Sequence, residues 1–351
     1  MGLWDRVMGW LIGDGAEPLP DEPGASGGAV ATLEQPPEEP TSESHSHDRW
    51  WAPEGETLIE PAPIQRPDLS TEARALENIL VSNFDSHNLE MPPLPYAIEK
   101  ALRRLRDINY DSKLLAADIA EDQVTAAAVL RMANSVMYGG RQKFTALGPA
   151  VDRLGANAVR TLMMHQSLRV ATFGRQGGDK ELTERVWHRS LASGCIMRAL
   201  AEFSKINPDE ALMIGLLHDI GDVIVLREAQ RQQEVLNYRI DFSTFEYLCA
   251  EIHQELGELV ACAWQLPPDL QSLISNHHEL PSENDPLRTE RLFLQLTDMI
   301  SAMLGYAPFA SYDLLNTRVV ESLGLADRGD FVEFLITLPD QVEENVVAVS
   351  A

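Results

Sequence analysis

The sequence predicts an all-α protein, and three observations predict it. Apolar residues recur at helical spacing from about residue 71 onward, caps and glycines punctuate those runs, and no alternating strand exceeds a few residues. Taken in order, Ala97, Ile98, Ala101, Leu102 and Leu105 form a first stripe behind a Pro92-Pro93-Leu94-Pro95 entry. Residues three and four apart share a helix face, so this stripe can be buried as a unit. Ser112 is placed to cap a helix carrying Leu115, Ala116 and Ile119. A further stripe, Ala126, Val129, Leu130 and Ala133, should stop near Asn134 and the Gly139-Gly140 pair. Val151, Leu154, Ala158, Leu162 and His165 continue the series. The glycine-rich stretch from Gly174 to Asp179 marks a loop between two helical halves, 71–175 and 180–325. In the second half Asn207-Pro208 starts a helix, Leu212, Leu216 and Leu217 give its buried face, and Gly221 reads as its stop. The run Val223-Ile224-Val225-Leu226 is too short for periodicity to separate helix from strand. The acidic extension 326–351 is expected to form one helix across Phe331 to Ile336 and then fray.

The first 70 residues read differently. They are rich in Pro, Glu, Gly and Ser, as in Glu17-Pro18-Leu19-Pro20-Asp21-Glu22-Pro23, and bury too little apolar surface to offset chain entropy. A mostly disordered tail is expected, opening on a short amphipathic segment, Met1 to Ile12. Four of the six tryptophans lie here, Trp4, Trp10, Trp50 and Trp51, and are candidate anchors for a partner. The competing reading is that they pack back onto the domain. Membrane contact by residues 1–12 is a weak option, since Asp5 and a lone Arg6 offer little attraction to anionic lipid.

Charge narrows the function classes. Asp and Glu number 54 against 28 Lys and Arg, a formal charge of -26 that repels phosphate backbones and argues against nucleic-acid partners. The local basic run Lys100, Arg103, Arg104 and Arg106 reads as a solvated helix face. Cys195, Cys249 and Cys262 form no C-x-x-C pair and sit among apolar neighbours, as buried thiols of a reducing compartment do. No apolar run reaches the roughly 18 residues of a spanning helix, and no basic n-region opens the chain. The cytoplasm is the expected compartment.

The second half holds an ordered set of imidazoles and carboxylates: His188, the His218-Asp219 pair, His253, the His277-His278 pair and Asp298. These are the ligand types of a divalent transition metal or a hydrolytic metal site. Adjacent residues diverge by about 100° on a helix, so His218 and Asp219 can reach one ion only near a helix end. A single histidine on an apolar helix is more often a core residue than a ligand, and His87 and His165 are read that way. Five histidines and two aspartates at helix ends point instead to a shared site.

These residues resemble a family. Leu216-Leu217-His218-Asp219-Ile220-Gly221 is similar to the signature of the HD superfamily. Leu130-Arg131-Met132-Ala133-Asn134-Ser135 and Ala150-Val151-Asp152-Arg153-Leu154-Gly155 resemble two motifs of HDOD domains. His253-Gln254-Glu255-Leu256-Gly257, Trp264-Gln265-Leu266-Pro267 and His277-His278 follow in the family's order, and the resemblance spans roughly Asn88 to Gly305. It implies an N-terminal helical bundle joined to an HD-type helical core, and a bacterial signalling or regulatory role that is usually non-catalytic. Diguanylate cyclases, sensor kinases and receiver domains are the partners it suggests. It also implies that His188, His218, Asp219, His253, His277, His278 and Asp298 stand where HD hydrolases hold a divalent metal, Fe, Mn, Zn or Mg. The alternative is therefore a metal-dependent phosphohydrolase acting on a nucleotide or phosphate ester. Two departures weigh against a cyclic-dinucleotide phosphodiesterase: Asp222 stands where that branch has a phosphate-binding lysine, and Glu279-Leu280-Pro281-Ser282 replaces its signature. A minor departure is Gln123 where proline is frequent.

Overall fold

Side-chain caps set most of the helix starts. Asp111, Asp122, Asp179, Asn207 and Asp241 each accept hydrogen bonds from backbone N–H groups in the first turn that follows, satisfying donors a helix start leaves open. The computed structural model describes residues 69–85, 89–105, 107, 109–134, 143–174, 179–236, 239–308 and 313–350. The expectations for Met1 to Ile12, for Trp4, Trp10, Trp50 and Trp51, and for the Gly139-Gly140 stop lie outside those residues.

The described residues are helical, with no strand among them. In chain order the helices are α1 (Thr71–Asp85), α2 (Tyr96–Arg104), α3 (Ser112–Ile119), α4 (Gln123–Ala133), α5 (Leu147–Phe173), α6 (Lys180–Leu200) and α7 (Pro208–Leu217). They continue as α8 (Gly221–Leu236), α9 (Phe242–Ala263), α10 (Pro268–Ser275), α11 (Arg288–Met303), α12 (Arg318–Ser322) and α13 (Gly329–Ser350). The cap of α3 is Asp111, one residue before the Ser112 expected from sequence. Gln123 opens α4 behind the Asp122 cap, a position where a helix accepts glutamine as readily as proline.

Two apolar cores form. One joins α2, α3, α4 and the first part of α5 through Ile98, Leu115, Ile119, Val129 and Val151. The other joins the end of α5 to α6–α13. Helix α5 serves both along its length, Ala150 to Met163 facing the first core and Met164 to Ala171 the second; its backbone also breaks direction at Gly155, whose φ of 75° is costly for a side-chain-bearing residue. Helix α1, which the sequence places with the N-terminal half, packs on α8 and α9 in the second core.

Two local expectations change. Val223, Ile224, Val225 and Leu226 are all buried within α8, a helix covered on several sides, which is why no period shows. The C-terminal helix does not fray after Ile336. Phe331, Leu335, Leu338, Val342 and Val346 keep one buried stripe running along α6, and this carries α13 past Pro339. Of the thiols, Cys249 is buried and Cys195 partly so, whereas Cys262 near the end of α9 is exposed. Of the basic run, Arg106 lies outside the described residues and the rest is tied up locally: Lys100 pairs with Asp118 and Glu121, Arg104 with Asp118, and Arg103 with Glu99. No described helix is long and apolar enough to cross a membrane.

Candidate metal centre

The centre begins where α7 ends. A Cβ on Gly215 would lie 2.4 Å from the Ser193 carbonyl oxygen, so the missing side chain lets α7 press directly on α6. The chain leaves α7 at His218, and a turn through Asp219 and Ile220 leads into α8 at Gly221. Gly221 therefore opens α8 instead of closing α7. Its role is steric: a Cβ there would fall 1.9 Å from the His253 carbonyl oxygen, so only glycine lets the turn meet the α9 backbone. Close packing at these two glycines brings residues from four helices to one point.

His218, His253 and His277 are held in the same way. Their Nδ1 atoms lie 2.9, 2.8 and 3.0 Å from the carbonyl oxygens of Gly215, Cys249 and Ile274. A carbonyl only accepts, so each ring carries its proton on Nδ1 and turns the Nε2 lone pair inward. This is the arrangement of metal-bound imidazoles, whose second nitrogen is oriented by a backbone or carboxylate acceptor. The inward nitrogens crowd together. His253 Nε2 is 3.2 Å from His277 Nε2 and 3.0 Å from His278 Nε2. His218 Nε2 is 2.9 Å from Asp298 Oδ1 and 3.2 Å from Asp219 Oδ2. Asp219 Oδ1 also lies 3.4 Å from His277 Nε2 and 3.6 Å from His253 Nε2.

Lone pairs facing each other at such distances need positive charge between them. At His218 a proton on Nε2 supplies that charge when no ion does. Burial alone would lower His218, but the Asp219 and Asp298 carboxylates override it and hold the imidazole well above its usual value. Burial would raise Asp219, yet His218 and the other imidazoles hold it well below the carboxylate range. Two sets of ligand atoms satisfy the spacing of a bound ion, His218–His277–Asp298 and His253–His277–His278, each within 4.8 Å throughout. The residues present thus fit a divalent cation with mixed imidazole and carboxylate ligands. Both sets use the one inward lone pair of His277, so that residue can serve only one ion at a time.

Not every residue expected from sequence converges. His218, Asp219, His253, His277, His278 and Asp298 do. His188, half-buried on α6, belongs to neither set of ligand atoms. Its neighbour Arg189 lines the cavity beside the centre, as the turn of about 100° between successive residues allows. The cavity, about 140 Å³, is also lined by Asp222, Glu246, Cys249, Asp298 and Ser301. Arg189 Nη1 donates to Asp222 Oδ2 at 2.8 Å, and Nη2 pairs with Glu246. Burial pushes both carboxyls up in pKa while the guanidinium pulls them down, and burial prevails in each. Asp222 is therefore no free anion facing a substrate, but one arm of a buried ion triad.

Sequence reading missed Arg189, Glu246 and Ser301. Glu246 lies seven residues before His253 on α9, two turns away on the same face, and Ser301 lies three after Asp298 on α11. Those spacings were the available signal. The motif blocks also have physical roles: the Trp264 indole N–H donates to the Pro92 carbonyl at 2.9 Å and pins the α1–α2 connection to the end of α9.

The sequence profile of the HDOD domain matches residues 91–280. The chain belongs to the HDOD family. Solved structures share the fold. A "Putative metal-dependent phosphohydrolase" from Shewanella amazonensis SB2B is similar at TM-score 0.63 and 18% identity, over 79% of this chain and 100% of that one. An HDOD domain protein of unknown function from Geobacter sulfurreducens is similar at TM-score 0.59 and 22% identity, over 80% and 96% of the two chains. An "Uncharacterized protein" of Treponema pallidum (strain Nichols) is 24% identical over 263 residues, 69% of the HDOD chain but only 47% of the relative. The chain thus spans about half the length of that curated relative.

Proposed function

We propose that this HDOD protein is a bacterial regulator whose helical domain docks signalling partners, and whose centre holds a divalent cation without turning over phosphate esters. The observation that carries the proposal is the state of Arg189. Among the described residues it is the one arginine or lysine lining the cavity, and Asp222 and Glu246 engage it from inside the fold. Among the described residues a phosphoryl group entering there would meet carboxylates and no free guanidinium or ammonium to neutralise it. The volume of about 140 Å³ also falls below the roughly 300 Å³ at which small-molecule pockets begin.

What the chain's residues do is then positional. His218, Asp219 and Asp298 offer one face to the cation, and His253, His277 and His278 another. Backbone carbonyls fix the three rings, and the Gly215 and Gly221 contacts lock the helices that carry them. A bound divalent ion would supply Lewis acidity and a fixed positive charge at the junction of α7, α9, α10 and α11. A cation at such a junction couples occupancy to the packing of the surrounding helices, which is the property a regulatory module needs. Partners of the kind the resemblance suggests, a diguanylate cyclase, a sensor kinase or a receiver domain, belong to the same proposal, as does a cytoplasmic location.

A second reading is favoured by the convergent imidazoles themselves: a metal-dependent phosphohydrolase with a small substrate. The discriminating experiment is a screen of the metal-loaded full chain against phosphomonoesters, nucleotides and cyclic dinucleotides. The expected result is no turnover above that of a His218→Ala variant. Turnover that this substitution abolishes would establish the second reading and end the first.

A further inference from the structure

Helical serine and threonine hydroxyls in this fold have a habit. When buried, several donate back to the carbonyl four residues earlier, Ser167 to Met163, Thr172 to Leu168, Ser190 to Val186 and Thr297 to Phe293, at 2.8 to 3.1 Å, and others such as Thr161 find a carbonyl elsewhere. Such a bond is the local way to satisfy a hydroxyl in a dry helix. Ser301 breaks the habit. It is 1% exposed, lies one turn after Asp298 on α11, and its Oγ has no hydrogen-bond partner. Oδ2 of Asp298 is buried and equally without a hydrogen-bond partner, while Oδ1 of the same carboxylate faces His218. Both residues line the cavity beside the imidazole cluster.

Two orphaned polar atoms, one a donor and one an acceptor, on one helix face and in one cavity, describe a seat. Buried polar groups in native proteins almost always find a partner, and where protein supplies none an ordered water does. The cavity, about 140 Å³, has room for a few waters at roughly 30 Å³ each. We infer that Ser301 Oγ and Asp298 Oδ2 hold a water molecule at the cavity wall that completes the shell of a cation bound at the centre. Ser301 is thus a positioning residue of the metal centre, and the small polar ligand it selects must both accept and donate a hydrogen bond. The inference rests on the metal-centre reading above.

The test uses the full chain, stripped with chelator and titrated with Mn²⁺, followed by affinity and by water-proton relaxation. Ser301→Ala should weaken Mn²⁺ by about tenfold, at the lower end of what loss of a supporting hydrogen bond costs a metal site. It should also change the relaxation enhancement of bound Mn²⁺, because the coordinated water loses an anchor and exchanges at a different rate. Ser190→Ala, which removes a hydroxyl that already has its carbonyl, should match wild type in both readouts. Wild-type-like affinity and relaxation in Ser301→Ala would overturn the inference and leave the metal centre standing: the hydroxyl would then turn back to Thr297 like its fellows. Failure of the wild-type chain to bind Mn²⁺ at all would overturn both.

Discussion

Asp118, buried between α2 and α3, meets two cations, Lys100 and Arg104, whereas Asp219 and Asp298, half-buried between α7 and α11, meet only imidazoles. In the first region burial would raise the Asp118 carboxyl, but Arg104 and Lys100 more than offset it and hold it below its usual value. That network is complete within the protein. In the second region the positive charge comes from a proton on His218, which a bound cation would displace, and orphaned atoms remain at Asp298 and Ser301. The Arg189–Asp222–Glu246 triad lies beside the centre yet resembles the first region, since its charges find each other inside the fold. Closed networks hold a structure together. An open one marks where a ligand belongs.

The largest expected effect breaks a closed network. Arg189→Met leaves Asp222 and Glu246 buried without their counter-charge, and should cost about 3–5 kcal/mol in denaturant unfolding. Adding Asp222→Asn and Glu246→Gln to that variant should recover most of the loss, because no uncompensated charge remains. A single-variant loss below about 1 kcal/mol would mean that the triad is solvated.

Next in size is a contrast between two imidazoles. His218 has carboxylates and is held up in pKa; His165 has none, packs 5.0 Å from the Trp187 ring, and is pushed down to about 4 by burial and then by Arg169. A histidine neutral when folded takes up a proton on unfolding once the pH drops below about 6.5. Its contribution to stability is therefore full above that pH, declines between 6.5 and 4, and levels off below. The decline should amount to about 3 kcal/mol at most, from roughly 1.4 kcal/mol per unit of pKa difference. His165→Leu should flatten that part of the stability–pH profile, and an unchanged slope would count against a neutral buried ring.

The smallest effect belongs to the N-terminal network. Asp118→Asn should destabilise less than either change above, because Lys100 and Arg104 reach solvent when their partner is lost. The difference from wild type should shrink further at about 1 M salt, where screening is nearly complete. A loss as large as that of Arg189→Met would erase the distinction drawn between the two regions.

Much of this was legible in the sequence, and the failures have physical causes. The helices and the turn at His218-Asp219 follow from periodicity and capping, which are local. His188 joins neither set of ligand atoms: sequence shows that α6 carries polar groups, but not which of two neighbours, about 100° apart, faces the cavity. Asp222 was legible as a charge and misread as an environment, because its partner Arg189 lies 33 residues away on another helix. Ser301 gave only its spacing from Asp298, since a hydroxyl's importance here lies in the bond it does not make. The α13 helix outran its expected end because its apolar stripe gains its value from α6, a surface the local window cannot see.

The central claim is that the open network is a cation site built on His277. Calorimetric titration of Mn²⁺ into the chelator-stripped full chain tests it most directly. The account predicts saturable binding that weakens at least a hundredfold, about 2.8 kcal/mol, in His277→Ala and is unchanged in His188→Ala. Absence of saturable binding in the wild-type chain, or binding that His277→Ala leaves intact, would contradict it.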